Sequence, residues 1–240
     1  MAVEVLEQLY EGKAKKVFKT SDDALYMVEY KDDATAFNGE KRGTIEGKGV
    51  INNKMSAMLF KELEKQGIET HLVEFVDDTH QLVKRVEIVP LEVIARNVIA
   101  GSLSKRVGRP EGEVLPQPIL EFSYKNDDLG DPMINRFHAT ALGLATDEEI
   151  DNIIAQALKI NELLQATFDK ANLVLVDFKL EFGRTPDGKI ILADEISPDT
   201  CRLWDKDTHE KLDKDRFRRD LGGVEEAYIE VYNRLKNIGL

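Results

Sequence analysis

LVLVDFKLEFGRTPDGKIILADEISPDTCRLWD, residues 173–205, is the stretch whose reading decides the fold. It reads as a β-hairpin followed by a charged loop. With period two, Val174, Val176, Phe178, Leu180 and Phe182 fall on one face of the first strand, and Asp177, Lys179 and Glu181 fall on the other. Charges at alternate positions of a strongly apolar strand need a reason, because unpaired buried charge is expensive. Gly183 and Pro186-Asp187-Gly188 mark the turn, and the return strand KIILADEI ends in Asp194 and Glu195. If Gly183 pairs near Ile190, Lys179 lies opposite Asp194, with Glu181 diagonal to it at about 7–8 Å. A register one residue away turns Asp194 to the other face. The Glu181–Asp194 pair is hard and oxygen-rich, suited to Mg²⁺ with phosphate rather than to zinc. A salt-bridged hairpin on a solvated sheet face is the other reading.

Outward from this stretch, 240 residues allow one large or two small, intimately packed domains, and 42% hydrophobic residues supply a substantial core. A formal charge of -12 argues against a general nucleic-acid binder and makes local basic clusters informative. The lone Cys201 permits no internal disulfide, which fits a reducing, cytoplasmic setting. No apolar run approaches the ~20 residues of a membrane span. Glu4 and Glu7 interrupt any apolar core of a signal peptide.

Residues 9–19, LYEGKAKKVFK, read as strand, turn and strand; Gly12 permits the turn, and Lys13, Lys15 and Lys16 crowd it with positive charge. Backbone amides flanked by lysines can hold phosphate oxygens, although the Walker spacing is absent. Residues 24–30 form the next strand. Residues 38–49 form a polar loop with four glycines, either a cover for a ligand or a plain connection. The spacing of Met55, Met58, Leu59 and Leu63 predicts a helix over 50–66, stopped by Gly67. Strands follow over 71–76, 80–89 and, beyond Pro90, 91–99. His71 and His80 read as structural. The first ~95 residues therefore read as antiparallel sheet with one helix, an α+β pattern.

Arg96 and Asn97 end a strand, and a turn at Gly101 presents Ser102. Guanidinium, hydroxyl and loop amides together suit phosphate or carboxylate. Residues 110–132 read as a long irregular segment. Thr146 and Glu149 make a capping box for a helix to Ala171, buried along Ile150, Ile153, Ile154, Ala157, Leu158, Leu164 and Phe168. After the hairpin, Ser197 to Asp205 reads as a loop turning into a helical start. Cys201 has no nearby histidine base, which argues against a thiol nucleophile. Residues 211–219 alternate charge, and Val224, Tyr228, Val231, Tyr232 and Leu235 define a last amphipathic helix.

LYEGKAKKV, VKRVEIVPLEVIARNVIAGS, KNDD…DPMI, LVDFKLEFG, DEISPDTCRLWDK and DKDRFRRDLGG occur in that order. Together they resemble the SAICAR synthetases, the phosphoribosylaminoimidazole-succinocarboxamide synthases, in their short bacterial form. The match spans nearly the whole chain. The resemblance implies a two-lobed α+β fold akin to protein kinases and ATP-grasp enzymes, with an N-terminal nucleotide-binding lobe over 1–88 and a C-terminal metal- and substrate-binding lobe over 89–240. It implies an ATP-dependent ligase of purine biosynthesis that joins L-aspartate to the carboxylate of carboxyaminoimidazole ribonucleotide (CAIR) through an acyl phosphate. It further implies a cytoplasmic homodimer without nucleic-acid or membrane partners.

On this resemblance Gly12, Lys13, Ala14, Lys15, Val17, Lys125, Glu181 and Asp194 would bind ATP, and Val83 to Glu87 would be the hinge, with Lys84, Arg85 and Val86 beside adenine. Glu181, Asp194 and Asp177 would hold Mg²⁺. Arg96, Ser102, Lys179, Arg202, Lys214 and Arg218 would bind the ribonucleotide, and Lys179, Asp199 and Arg202 would be catalytic. A small-molecule kinase of similar fold and a non-catalytic nucleotide-binding regulator are the competing classes. The kinase would transfer phosphate to a hydroxyl and release none free, and the regulator would bind ATP without turnover.

Overall fold

The structure, a computed structural model, describes residues 3–36 and 39–240; Asn38, the first residue of the expected 38–49 loop, lies outside them. The chain begins with β1 (Val5–Glu11), β2 (Lys15–Thr20) and β3 (Leu25–Tyr30), then a small hairpin, β4 (Asp33–Ala36) and β5 (Lys41–Thr44). Helix α1 (Lys48–Lys65) leads to β6 (Leu72–Phe75) and β7 (His80–Lys84). Next come β8 (Glu87–Ile88), β9 (Leu91–Val98), α2 (Gly101–Val107), β10 (Val114–Tyr124), β11 (Met133–Ile134) and α3 (Arg136–Ala141). The chain finishes with α4 (Asp147–Lys170), β12 (Leu173–Arg184), β13 (Ile190–Ala193), β14 (Cys201–Asp205), α5 (Asp215–Arg218) and α6 (Val224–Asn237).

Two antiparallel sheets carry the fold. The first runs β1-β2-β3-β7-β6, and the second runs β11-β10-β9-β12-β13 with β14 and β8 also on β12. The expected strand over 80–89 is broken: β7 belongs to the first sheet, β8 to the second, and Arg85-Val86 carries the chain across. Gly183 makes that crossing possible, since a Cβ there would meet Val86 Cγ2 at 2.3 Å.

Strand β12 is the spine of the second sheet. One edge pairs with β9 through Asp177–Leu180 and with β8 at Gly183 and Arg184. The other edge pairs with β14 through Leu173–Phe178 and with β13 through Glu181–Arg184. A register shift between Leu175 and Asp177 breaks the simple alternation read from the sequence. Leu173 and Leu175 join the main core with Phe178, Leu180 and Phe182, while Val174 and Val176 pack with Val98, Ala100 and Trp204 on the opposite side. An extra residue in one strand puts consecutive side chains on the same face, which a strict period of two cannot reveal.

Three other expectations are corrected. Residues 114–124, read as irregular, are strand β10; Pro116 and Pro118 fall where its register with β9 shifts, where a missing N–H costs no ladder bond. Residues 201–205, read as a helical start, are strand β14, because β12 leaves an edge that Cys201 and Leu203 can cover with buried side chains. Within the expected 38–49 loop, Lys41–Thr44 is strand and helix α1 already begins at Lys48. Helix α4 keeps its capping box: Thr146 Oγ1 accepts the Glu149 N–H at 3.1 Å, and Glu149 accepts the Thr146 N–H at 2.8 Å. Its stripe is shifted in one position: Leu158 is exposed, and Ile160 is buried in its place. One continuous core joins α1, β9, α4, β12 and α6.

Candidate active site

A cavity of about 560 Å³ opens between the two sheets. Ala14, Val17, Val28, Val83, Val86 and Ile88 give it an apolar slot. Beside the slot, the Gly12 turn is closed by the Gly12 N–H donating to the Lys15 carbonyl at 2.8 Å. Lys84 also lines the slot, but Arg85 does not: its guanidinium lies over Tyr26, 5.9 Å from the ring centroid.

Deeper in, charges converge. Lys179 Nζ lies 2.6 Å from Glu181, 3.0 Å from Glu92 and 3.9 Å from Asp194. Lys125 Nζ is 3.1 Å from the same Glu181 oxygen. Lys15 pairs with Asp194 and, at 3.1 Å, with Glu195. Burial by itself would lower the Lys15 and Lys179 ammoniums; the surrounding carboxylates outweigh it and hold both well above the ordinary lysine value. Burial would likewise raise Asp194, but Lys15 and Lys179 hold it below the ordinary carboxylate value. Lys13, from the same turn, reaches the exposed Asp127 at 2.7 Å.

The hairpin register is one residue from that assumed in the sequence: Gly183 pairs with Ile191 and Glu181 with Ala193. Alternation would then turn Asp194 away. It is brought back because β13 ends at Ala193 and Asp194 adopts a left-handed φ of 58°. A non-glycine residue in that region is strained, and such strain persists where surrounding contacts enforce it.

A second cavity of about 320 Å³ adjoins the first, and Lys13, Glu92, Lys179, Asp199 and Lys214 line both. Its floor is a buried ion network. Asp177 sits on β12 between Arg96 of β9 and Arg202 of β14, so adjacent-strand pairing sets the three side by side. Arg96 donates to Asp177 at 2.9 Å, Glu121 at 2.7 Å and Ser102 at 3.2 Å. Arg202 donates to both Asp177 oxygens at 3.0 and 2.9 Å and to Asp215 at 3.0 Å, and Arg218 reaches Asp215 at 2.7 Å. Gly101, at φ +52°, lets α2 start against Arg202: a Cβ there would meet its Nη2 at 2.4 Å.

The structure thus brings Lys15, Lys125, Lys179, Glu181 and Asp194 together, and separately Arg96, Ser102, Asp177, Arg202 and Arg218. Asp177, expected beside Glu181 and Asp194, lines the second cavity instead, where its two oxygens are paired with the Arg96 and Arg202 guanidiniums. Glu92, Glu121, Asp215 and Lys48 also belong to these networks, although no local pattern in the sequence singles them out; Glu195 is signalled only by its adjacency to Asp194. Cys201 is buried, and burial pushes its thiol well up.

Among the described residues, no three His, Cys, Asp or Glu side chains are grouped to hold a metal unaided. Glu181, Asp194 and the partnerless buried Oε2 of Glu195 do offer hard oxygens on the wall of the cavity. That donor set fits Mg²⁺ completed by phosphate oxygens and water.

The SAICAR synthetase sequence pattern matches residues 8–235. The chain belongs to the SAICAR synthetase family. It is 65% identical over 230 residues to the phosphoribosylaminoimidazole-succinocarboxamide synthase of Lachnoclostridium phytofermentans, covering 96% of this chain and 97% of that one. It is 61% identical over 233 residues to the Coprothermobacter proteolyticus enzyme of the same name, covering 97% and 99%. Among solved structures, that of the Ehrlichia chaffeensis synthase superposes with a TM-score of 0.94 at 45% identity, covering 96% of this chain and 98% of that one. A SAICAR synthetase in complex with ADP gives 0.93 at 51% identity, with the same coverage. The α+β SAICAR synthetase fold expected from the sequence motifs is therefore present. SAICAR synthetases are ATP-dependent ligases of purine biosynthesis that join L-aspartate to CAIR, and this chain is an enzyme of that class.

Proposed function

We propose that the two adjoining cavities divide the substrates of this ligase, ATP between the sheets and CAIR over the arginine floor, with L-aspartate arriving at their shared wall. The observation that carries the reading is Lys179, which lines both cavities and pairs with Glu181 at 2.6 Å. The apolar slot suits adenine, and the lysines of the Gly12 turn suit phosphates. The ADP complex of a relative 51% identical supports nucleotide binding here.

A carboxylate is a poor acyl donor. A CAIR carboxylate oxygen would attack the γ-phosphorus of ATP and displace ADP. The amine of L-aspartate would then attack the acyl carbon, expel phosphate and lose a proton, leaving an amide. Phosphoryl transfer depends mostly on positioning and charge neutralisation. Lys15, Lys125 and Lys179 supply positive charge on the phosphate side. Arg96, Ser102, Arg202 and Arg218 would hold the ribonucleotide, and Lys214 and Asp199 would orient polar groups at the shared wall. Glu181 and Asp194 would hold Mg²⁺ carried by the nucleotide, which when bound neutralises phosphate charge. Release of Lys15 and Lys179 from these carboxylates would free both ammoniums for phosphate oxygens.

We also propose lobes over 1–88 and 89–240, supported by the passage between sheets at residues 85–86. A homodimer is supported by the strongly exposed Phe137 and Leu142 around α3. A cytoplasmic setting is supported by a biosynthetic task that consumes ATP and a free amino acid.

The test is an assay of ADP and phosphate release with each substrate omitted in turn. Release that requires CAIR and L-aspartate together supports the proposal. Phosphate release independent of L-aspartate sinks it.

A further inference from the structure

Asp199 lines both cavities, yet neither of its two closest partners does. Its Oδ1 accepts from the Tyr228 hydroxyl of α6 at 2.6 Å, and its Oδ2 accepts from Lys48 Nζ, at the start of α1, at 2.8 Å. Tyr228 and Lys48 are each 1% exposed, and the Lys48 head group is wholly inaccessible. The backbone is pinned as well: the Asp199 N–H donates to Ser197 Oγ at 3.1 Å, and the Thr200 N–H to the Ser197 carbonyl at 3.0 Å. On the cavity side, Lys214 stands 3.8 Å from Oδ2.

A buried ion pair is weak evidence for stability, because desolvation offsets its attraction and apolar side chains of similar volume do as well. What such a pair supplies is a fixed direction. A tyrosine and a lysine from two helices remote in sequence hold one carboxylate from behind, at the wall where the second and third substrates must meet.

We infer that Tyr228 and Lys48 are positioning residues of the ligase, aiming the Asp199 carboxylate at the L-aspartate and CAIR side of the site while leaving the nucleotide slot unaffected. Burial and the Asp199 charge keep the Tyr228 hydroxyl protonated, so that it remains a donor. Asp199 itself is held ionised, because Lys214 and Lys48 outweigh the effect of its burial. The inference rests on the assignment of the second cavity to the non-nucleotide substrates.

Tyr228→Phe tests it, since the ring and its packing stay while the hydroxyl goes. The expected result is a fall of about tenfold or more in kcat/KM for L-aspartate, with ADP affinity within about twofold and Tm nearly unchanged. Lys48→Met, as a second variant, should show the same split between L-aspartate and ADP even if its Tm drops. Wild-type kinetics in Tyr228→Phe would overturn the inference, and so would equal losses for L-aspartate and ADP. Asp199→Asn reports separately on the cavity assignment: a defect confined to ADP binding would refute that assignment whatever Tyr228 does.

Discussion

Lys179 and Glu181, two residues apart on one face of β12, share a 2.6 Å ion pair, and Lys179 lines both cavities. Lys125 reaches the same Glu181 oxygen at 3.1 Å from the far side. One carboxylate thus orders two cations where γ-phosphate and substrate carboxylate would meet.

Glu181→Gln should lower turnover by about 100-fold or more, because a fixed charge beside the phosphoryl group is lost. ADP affinity measured by calorimetry should lose its dependence on Mg²⁺ in the same variant. Full activity, or an unaltered Mg²⁺ dependence of ADP binding, would contradict the role given to Glu181.

Arg96→Lys should raise the KM for CAIR by about tenfold, since a lysine cannot reproduce a planar fork held between two carboxylates. The KM for ATP should move less than about twofold. Arg96→Ala is a harsher change that leaves Asp177 to Arg202 and Glu121 to Arg106 alone, and should cost about 1–3 kcal/mol of stability. Steady-state kinetics and chemical denaturation separate the two effects.

Gly101→Ala should act at a distance of one side chain. Its left-handed backbone disfavours a Cβ, and the methyl would press on the Arg202 guanidinium. The expected outcome is a KM for CAIR raised about fivefold to tenfold with ADP affinity preserved. An unchanged KM for CAIR would show that Arg202 need not stay where Gly101 lets it lie.

His71 supplies a pH prediction. Burial, reinforced by the Lys15 charge, pushes its imidazole down from 6.5 to about 4. The folded protein therefore keeps His71 neutral while the unfolded chain takes up a proton below 6.5. The stability it contributes is fully present above 6.5 and is lost as pH falls towards 4. His71→Phe removes that titration. Between neutral pH and about pH 4, the stability of the wild type relative to the variant should fall by roughly 3 kcal/mol. A pH-independent difference, measured by urea denaturation, would refute it.

Several elements were legible because their signals are local. The capping box at Thr146 and Glu149, the stripe of α4, the Gly12 turn and the Gly183 hairpin each depend on residues within a few positions of one another. The charged face of Asp177, Lys179 and Glu181 was equally plain. Strand β14 was not, since Cys201–Asp205 takes its conformation from an edge offered by β12. The bulge after Leu175 was hidden for a similar reason: its extra residue is defined only against a partner strand.

The sequence by itself determined the family, the α+β composition and most of the charged residues that line the site, because residue types and short spacings carry that information. Only the tertiary structure decided how those charges are shared. It paired Asp177 with two arginines, and it recovered Asp194 through a left-handed turn after the register had moved by one residue. It also set Lys48 and Tyr228 behind Asp199. Ion pairing falls off over a few ångströms, whereas the partners lie up to 179 residues apart in the chain, so their pairing is settled by how the helices and sheets pack.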